Sequence, residues 1–118
     1  MVTRYTEPVR IPVPGGKIID EHIGAASTGE GQVSVAHMQA PPNWSEPFQT
    51  PEFDEFTVVL SGSVIVEHGA GETTTVTAGQ SLKTTAGERI RYSTGPDGAD
   101  YFAVCMPAFS PETVNRDE

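Results

Sequence analysis

The chain has 118 residues, with 16 acidic against 7 basic side chains and a net charge of −9 at neutral pH. That length supports one domain around one core, and the acidic balance excludes the basic face that nucleic acid or an anionic membrane demands of a partner. A hydrophobic content of 36% excludes a disordered chain, and the single cysteine, Cys105, excludes an intrachain disulfide.

Residues 1–118 are expected to form one domain, with 1–16 as an extended N-terminal arm. Pro8, Pro12 and Pro14 punctuate that arm and leave it at most an edge strand. Lys17 to Ile23 reads as a first strand and Gly24 to Gly31 as a turn. Gln32 to Gln39 alternates, with Val33, Val35, His37 and Gln39 on one face and Ser34, Ala36 and Met38 on the other. Ala40-Pro41-Pro42-Asn43 stops it. Glu55 to Leu60 is rich in β-branched and aromatic residues, and Ser61-Gly62-Ser63 reads as a tight turn into Val64–His68. Gly69-Ala70-Gly71 leads to Thr73–Thr77, and Ala78-Gly79 to Gln80–Lys83. Arg89–Ser93 and Asp100–Met106 read as two further strands separated by a Gly95-Pro96-Asp97-Gly98 turn, and Pro107 ends the last. No window of ten residues carries a helical period. Short strands at roughly ten-residue spacing indicate a β-sandwich or barrel.

No apolar run follows a basic start, and none approaches the roughly 20 residues of a membrane span. A cytoplasmic location is expected, with no nucleic-acid or membrane partner. The acidic C-terminus (Glu112, Asp117, Glu118) is expected only to keep the tail solvated.

The order Asp54-Glu55, Val58-Val59-Leu60-Ser61-Gly62, Ala78-Gly79-Gln80 and Ala86-Gly87-Glu88 resembles the two motifs of small single-domain cupins. The resemblance spans about two thirds of the chain and implies an all-β fold, the cupin-type double-stranded β-helix or jelly-roll barrel. Cupins commonly hold a metal on two histidines, a glutamate and a third histidine. Here Glu55 and Gly62 stand at the motif's spacing. The paired-histidine positions fall on Phe48 and Thr50, or on Gln49 and Pro51, and the later histidine position on Ile90 or Arg89. The pattern is most similar to the ethanolamine-utilisation type, which also lacks the pair and also ends its last strand in Pro-Ala, here Pro107-Ala108.

In such a barrel alternate side chains point inward. Glu55 pointing in takes Thr57 and Val59 with it and turns Phe56, Val58 and Leu60 out, an apolar face for which a second copy of the chain is the expected cover. The inward set on the other strands is read as His37, Gln39, Ile90, Tyr92, Tyr101 and Cys105. With Gln49 and Glu55 these compose a small-molecule cavity, few polar groups in an apolar lining.

Glu55, desolvated there, is the expected general acid or base, with His37, Tyr92 and Tyr101 as catalytic partners. Trp44, Phe48, Gln49, Gln39 and Arg89 are the candidate substrate-binding residues. Trp44 and Phe48 serve as an aromatic rim, and Arg89 faces the cavity only if its strand slips by one residue. Cys105 reads as a small buried hydrophobe.

The expected function is an enzyme acting by acid/base chemistry on a small organic molecule, of isomerase, cyclase, dehydratase or decarboxylase (lyase) type. A non-catalytic binding or accessory cupin is the alternative. So is an enzyme with an atypical divalent metal on His37, Gln49 and Glu55, with Glu46 as a further oxygen donor. No cofactor beyond that divalent ion is suggested.

Overall fold

The computed structural model describes residues 1–117; Glu118 lies outside the described residues. Among them there are seven β-strands and no helix: β1 (Val9–Ile11), β2 (Ile18–Ile23), β3 (Ser34–Ala40), β4 (Asp54–His68), β5 (Glu72–Thr77), β6 (Ser81–Thr84) and β7 (Arg91–Met106). They form one antiparallel sheet in the order β1-β2-β3-β7-β4-β5, with β6 paired to β4. The proline-punctuated arm contributes only the edge strand β1, where a missing N–H costs no ladder bond.

Two expected turns are absorbed into strands. Ser61-Gly62-Ser63 lies inside the 15-residue β4, and Gly95–Gly98 inside the 16-residue β7. The two strands pair from Asp54↔Met106 to Glu67↔Arg91, interrupted by bulges between Val59 and Ser61 and between Gly62 and Val64. A bulge bends a strand without ending it, and glycine makes this bend possible. Gly62 has φ +74°, and a β-carbon on it would lie 2.0 Å from the Gly98 carbonyl oxygen; one on Gly98 (φ +67°) would lie 2.6 Å from the Ala40 carbonyl oxygen. Ala40, Gly98 and Gly62 thus bring β3, β7 and β4 together backbone to backbone. The glycines that look like turn signals in sequence serve close packing of strands.

Cross-strand partners share a face, so the pairings define an inside and an outside. Glu55, Thr57 and Val59 of β4 stand opposite Cys105, Ala103 and Tyr101 of β7, which stand opposite Ser34, Ala36 and Met38 of β3. The β4 and β7 members are all buried, and so are Ser34 and Ala36. This face carries the main core, with Val59, Val64, Val66, Ile90, Tyr92 and Tyr101 packed together. The other face pairs Phe56 with Val104 and Val58 with Phe102, and it leaves Phe56, Val58 and Leu60 36%, 45% and 51% exposed.

The β3 phase is therefore the reverse of the expected one. His37 pairs with Phe102, an outward residue, and Gln39 is exposed. The small Ser34 and Ala36 fit against the crowded inner face, while the bulkier alternate set goes outside. A single-residue change of phase moves every side chain of a strand to the opposite face.

The stretch after β7 returns across the barrel. Thr50 N–H bonds to the Asn115 carbonyl, Glu52 N–H to Thr113 and Asp117 N–H to Phe48, so residues 113–117 run beside the 48–52 loop. Val114 and Phe109 pack on Phe53 and Cys105 as a second small core.

Candidate functional site

A cavity opens on the inner face at the end of the barrel where this tail docks. Lys17, just before β2, and Ile19 and Glu21 within it, on the same inward phase, supply its wall. β3 supplies Ser34, Ala36 and Met38, and the connection into β4 supplies Glu46, Gln49 and Phe53. Glu55 comes from β4, with Tyr92, Ala103 and Cys105 from β7, and the tail adds Phe109, Val114 and Arg116. Most of this wall is apolar. The polar groups converge around Glu55.

Glu55 is 8% exposed. Burial raises its carboxyl from an ordinary 4.5 to about 7; Lys17 opposes that rise, Glu46 adds to it, and hydrogen bonds from Cys105 and Tyr92 partly offset it. The carboxyl is thus poised to exchange a proton near neutrality. The Cys105 thiol donates to Glu55 Oε1 at 3.7 Å, and burial followed by the Glu55 charge pushes that thiol well above its usual range. Cys105 is accordingly a weak donor and no thiolate nucleophile. The Tyr92 and Thr84 hydroxyls are bonded at 2.9 Å, and burial and Glu55 hold the Tyr92 phenol well above its ordinary value.

Gln49 is held by two backbone bonds to Ile90, each 2.8 Å. Its side chain is buried with 3% exposed, and its Oε1 has no hydrogen-bond partner. A buried acceptor without a donor is costly in an interior, and this one belongs to a residue that lines the cavity. Glu46 is also raised, chiefly by burial, with Lys17 and Arg116 opposing.

Six of the residues singled out in the sequence lie outside this cavity. His37 faces the opposite side of β3: its ring stacks on Phe102, 5.0 Å between centroids, and its Nε2 bonds to Asp100. Gln39, on the same phase, does not reach the cavity either. Arg89 is exposed and bound to Asp117 by Nε at 3.0 Å, with its guanidinium 4.0 Å above the Phe48 ring. Phe48 is therefore an outer platform for Arg89 and Arg91 instead of a rim residue of this cavity.

Tyr101 and Trp44 are buried behind Lys17, whose Nζ lies 5.5 Å and 4.5 Å from their ring centroids. Neither lines the cavity itself; Trp44 borders an adjoining depression with Lys17, Glu46 and Arg116.

The metal set His37, Gln49 and Glu55 does not assemble, because His37 stands on the outer face. The fold's usual metal also fails on the donor set, since among the described residues no imidazole lines the cavity. Among the described residues no group of three or more His, Cys, Asp or Glu side chains is spaced to hold an ion.

Sequence reasoning passed over Lys17, Glu21 and Arg116. The alternation Lys17, Ile19, Glu21 was available as a signal, but Ile18 on the opposite phase blurs the apolar contrast between the two faces. Arg116 sits in a segment with no strand pattern, so nothing local pointed to it. Glu21 is 2% exposed and accepts the Ser27 N–H at 2.8 Å, which ties the 24–30 loop to the cavity wall.

No family model matches the chain. It is similar to the endoribonuclease YbeY of Myxococcus xanthus (strain DK1622), 44% identical over 110 residues that cover 91% of this chain and 36% of that protein. The chain thus spans about a third of the length of that curated relative. Among solved structures it resembles a putative ethanolamine utilization protein Q from Salmonella typhimurium, with a TM-score of 0.67 at 25% identity, covering 79% of this chain and 71% of that one. It also superposes on the polyketide cyclase RemF from Streptomyces resistomycificus, with a TM-score of 0.76 at 23% identity over 98% of this chain and 85% of that one.

Proposed function

We propose that this small cupin, similar to ethanolamine utilization protein Q, is an enzyme whose acid/base chemistry on a small organic molecule centres on Glu55. The observation that carries this reading is the Glu55 carboxyl, buried in the cavity wall and raised to about 7. An isomerase, cyclase, dehydratase or decarboxylase all use such a group to take a proton from carbon or oxygen and return it. That a solved structure of the same fold is a polyketide cyclase supports an enzymatic reading.

The exposed Phe56, Val58 and Leu60 support a homodimer that buries this face. A cytoplasmic setting agrees with the free thiol of Cys105. Among the described residues no helix is long and apolar enough to cross a membrane.

A second reading is a non-catalytic accessory module. It is favoured by the likeness to about a third of a longer endoribonuclease, whose remaining length lies outside the match. One experiment separates the two. Wild-type protein and Glu55→Gln are incubated with a small-molecule cell extract, followed by mass spectrometry. Compounds consumed by the wild type and retained but unchanged by Glu55→Gln support the enzyme. Compounds retained unchanged by both support the accessory reading and overturn catalysis.

A further inference from the structure

Lys17 is the one ammonium in the cavity wall, and the acid/base reading does not use it. It enters β2 beside the buried rings of Trp44 and Tyr101 and faces the same space as Glu55. Burial works against its charge, but Tyr101, Glu46 and then Glu55 together outweigh that and hold it above the ordinary lysine value. The side chain is therefore a part-buried group that stays charged, unsuited to act as an amine nucleophile. Such a group stabilises a negative oxygen far better than it would in water. Gln49, which lines the same cavity, has in Oε1 a buried acceptor that no protein donor satisfies. The cavity thus presents a proton-exchanging carboxyl, a cation and an unsatisfied acceptor.

We propose that Lys17 is a second catalytic residue, that its ammonium binds the carbonyl oxygen of a small hydroxy-carbonyl substrate, and that Gln49 Oε1 accepts a hydrogen bond from the hydroxyl of that substrate. The proposal rests on the Glu55 reading. The Glu55 carboxylate takes a proton from the carbon beside the carbonyl. The C–H electron pair becomes the new C=C bond, and the carbonyl π pair moves onto oxygen, giving an enolate that faces Lys17. Return of a proton to the same carbon restores the carbonyl. The cycle needs no oxidant or reductant, and it yields proton exchange or inversion at that carbon.

The probes are hydroxyacetone in deuterium oxide, its methylene signal followed by proton NMR, and glycolohydroxamate, a stable mimic of the enolate, titrated calorimetrically in the presence of a chelator. The wild type is expected to exchange the methylene protons and to bind glycolohydroxamate. Lys17→Met is expected to slow exchange by about 100-fold and to weaken glycolohydroxamate by about 10-fold. Lys17→Arg, which keeps the charge and guards against a folding defect, is expected to bind within about threefold of the wild type. Glu55→Gln is expected to lose exchange and keep glycolohydroxamate.

Exchange by Lys17→Met at the wild-type rate overturns the role of Lys17 and leaves that of Glu55 standing. Undiminished exchange by Glu55→Gln overturns the Glu55 reading itself. A wild type that exchanges no protons overturns the substrate class, whether or not it binds the mimic.

Discussion

Cys105 Sγ lies 3.7 Å from Glu55 Oε1, and the two residues are direct partners across the β4–β7 ladder. The cavity's acid is thus backed by a residue from the facing strand that gives it only one weak hydrogen bond. Stronger donors would hold a carboxylate below its ordinary range; here neither this bond nor the opposing charge of Lys17 outweighs desolvation. Burial wins at Glu55 instead.

That balance makes a pH-dependent signature. Below pH 4.5 Glu55 is protonated whether the chain is folded or not; between 4.5 and about 7 the folded state holds the extra proton. Stability from this group is therefore full below the unfolded value and is lost as pH rises through about 7. The loss amounts to about 3 kcal/mol. Glu55→Gln is expected to match the wild type in urea unfolding at pH 5 and to exceed its stability at pH 8. Equal midpoints at pH 8 would mean that the carboxyl titrates normally.

Gly62→Ala tests the close approach of strands. Its β-carbon would meet the Gly98 carbonyl oxygen at 2.0 Å, in a backbone at φ +74°. The left-handed conformation and the clash together are expected to cost about 3 kcal/mol or more. A thermal midpoint unchanged from the wild type would show that Gly62 marks a turn able to relax, as the sequence suggests, and not a packed bulge.

The tail is part of the cavity wall, so loosening it should open the site. Val114, 5% exposed, packs with Phe53, Cys105 and Phe109. Val114→Ala is expected to cost about 2 kcal/mol and to speed labelling of Cys105 by a disulfide reagent. Labelling that stays as slow as in the wild type would argue that the thiol is shielded by the barrel alone.

Val58→Glu places a charge at the centre of the exposed apolar face, at a position 45% exposed and opposite Phe102. Light scattering is expected to give two chains for the wild type and one for the variant, with unchanged circular dichroism. A monomeric wild type removes the basis for the homodimer.

Much of the architecture was legible in the residues. Strand composition and turn spacing made the chain all-β, and the alternation around Glu55 placed Thr57 and Val59 inside and Phe56, Val58 and Leu60 outside. Period two is a property of a strand taken alone, so its apolar contrast shows in one segment. Of the inward set His37, Gln39, Ile90, Tyr92, Tyr101 and Cys105, alternation places Tyr92 and Cys105 in the cavity wall with Glu55, and Ile90 and Tyr101 in the core; Gln49 comes from its place in the motif.

What the tertiary structure decided is which face of a balanced strand turns in, and which distant segments meet. In β3 each phase mixes polar and apolar residues, so only pairing with β7 settles that Ser34 and Ala36 line the cavity and His37 stacks on Phe102 outside. Gly62, Gly95 and Gly98 carry the same local signal whether they turn the chain or let strands touch; contact between β3, β7 and β4 decides for the second. Lys17 and Arg116 reach Glu46 and Glu55 from opposite ends of the chain, and no local pattern encodes such a meeting. The strand alternation around Glu55 belongs to the sequence; its raised carboxyl belongs to the packing that removes water from around it.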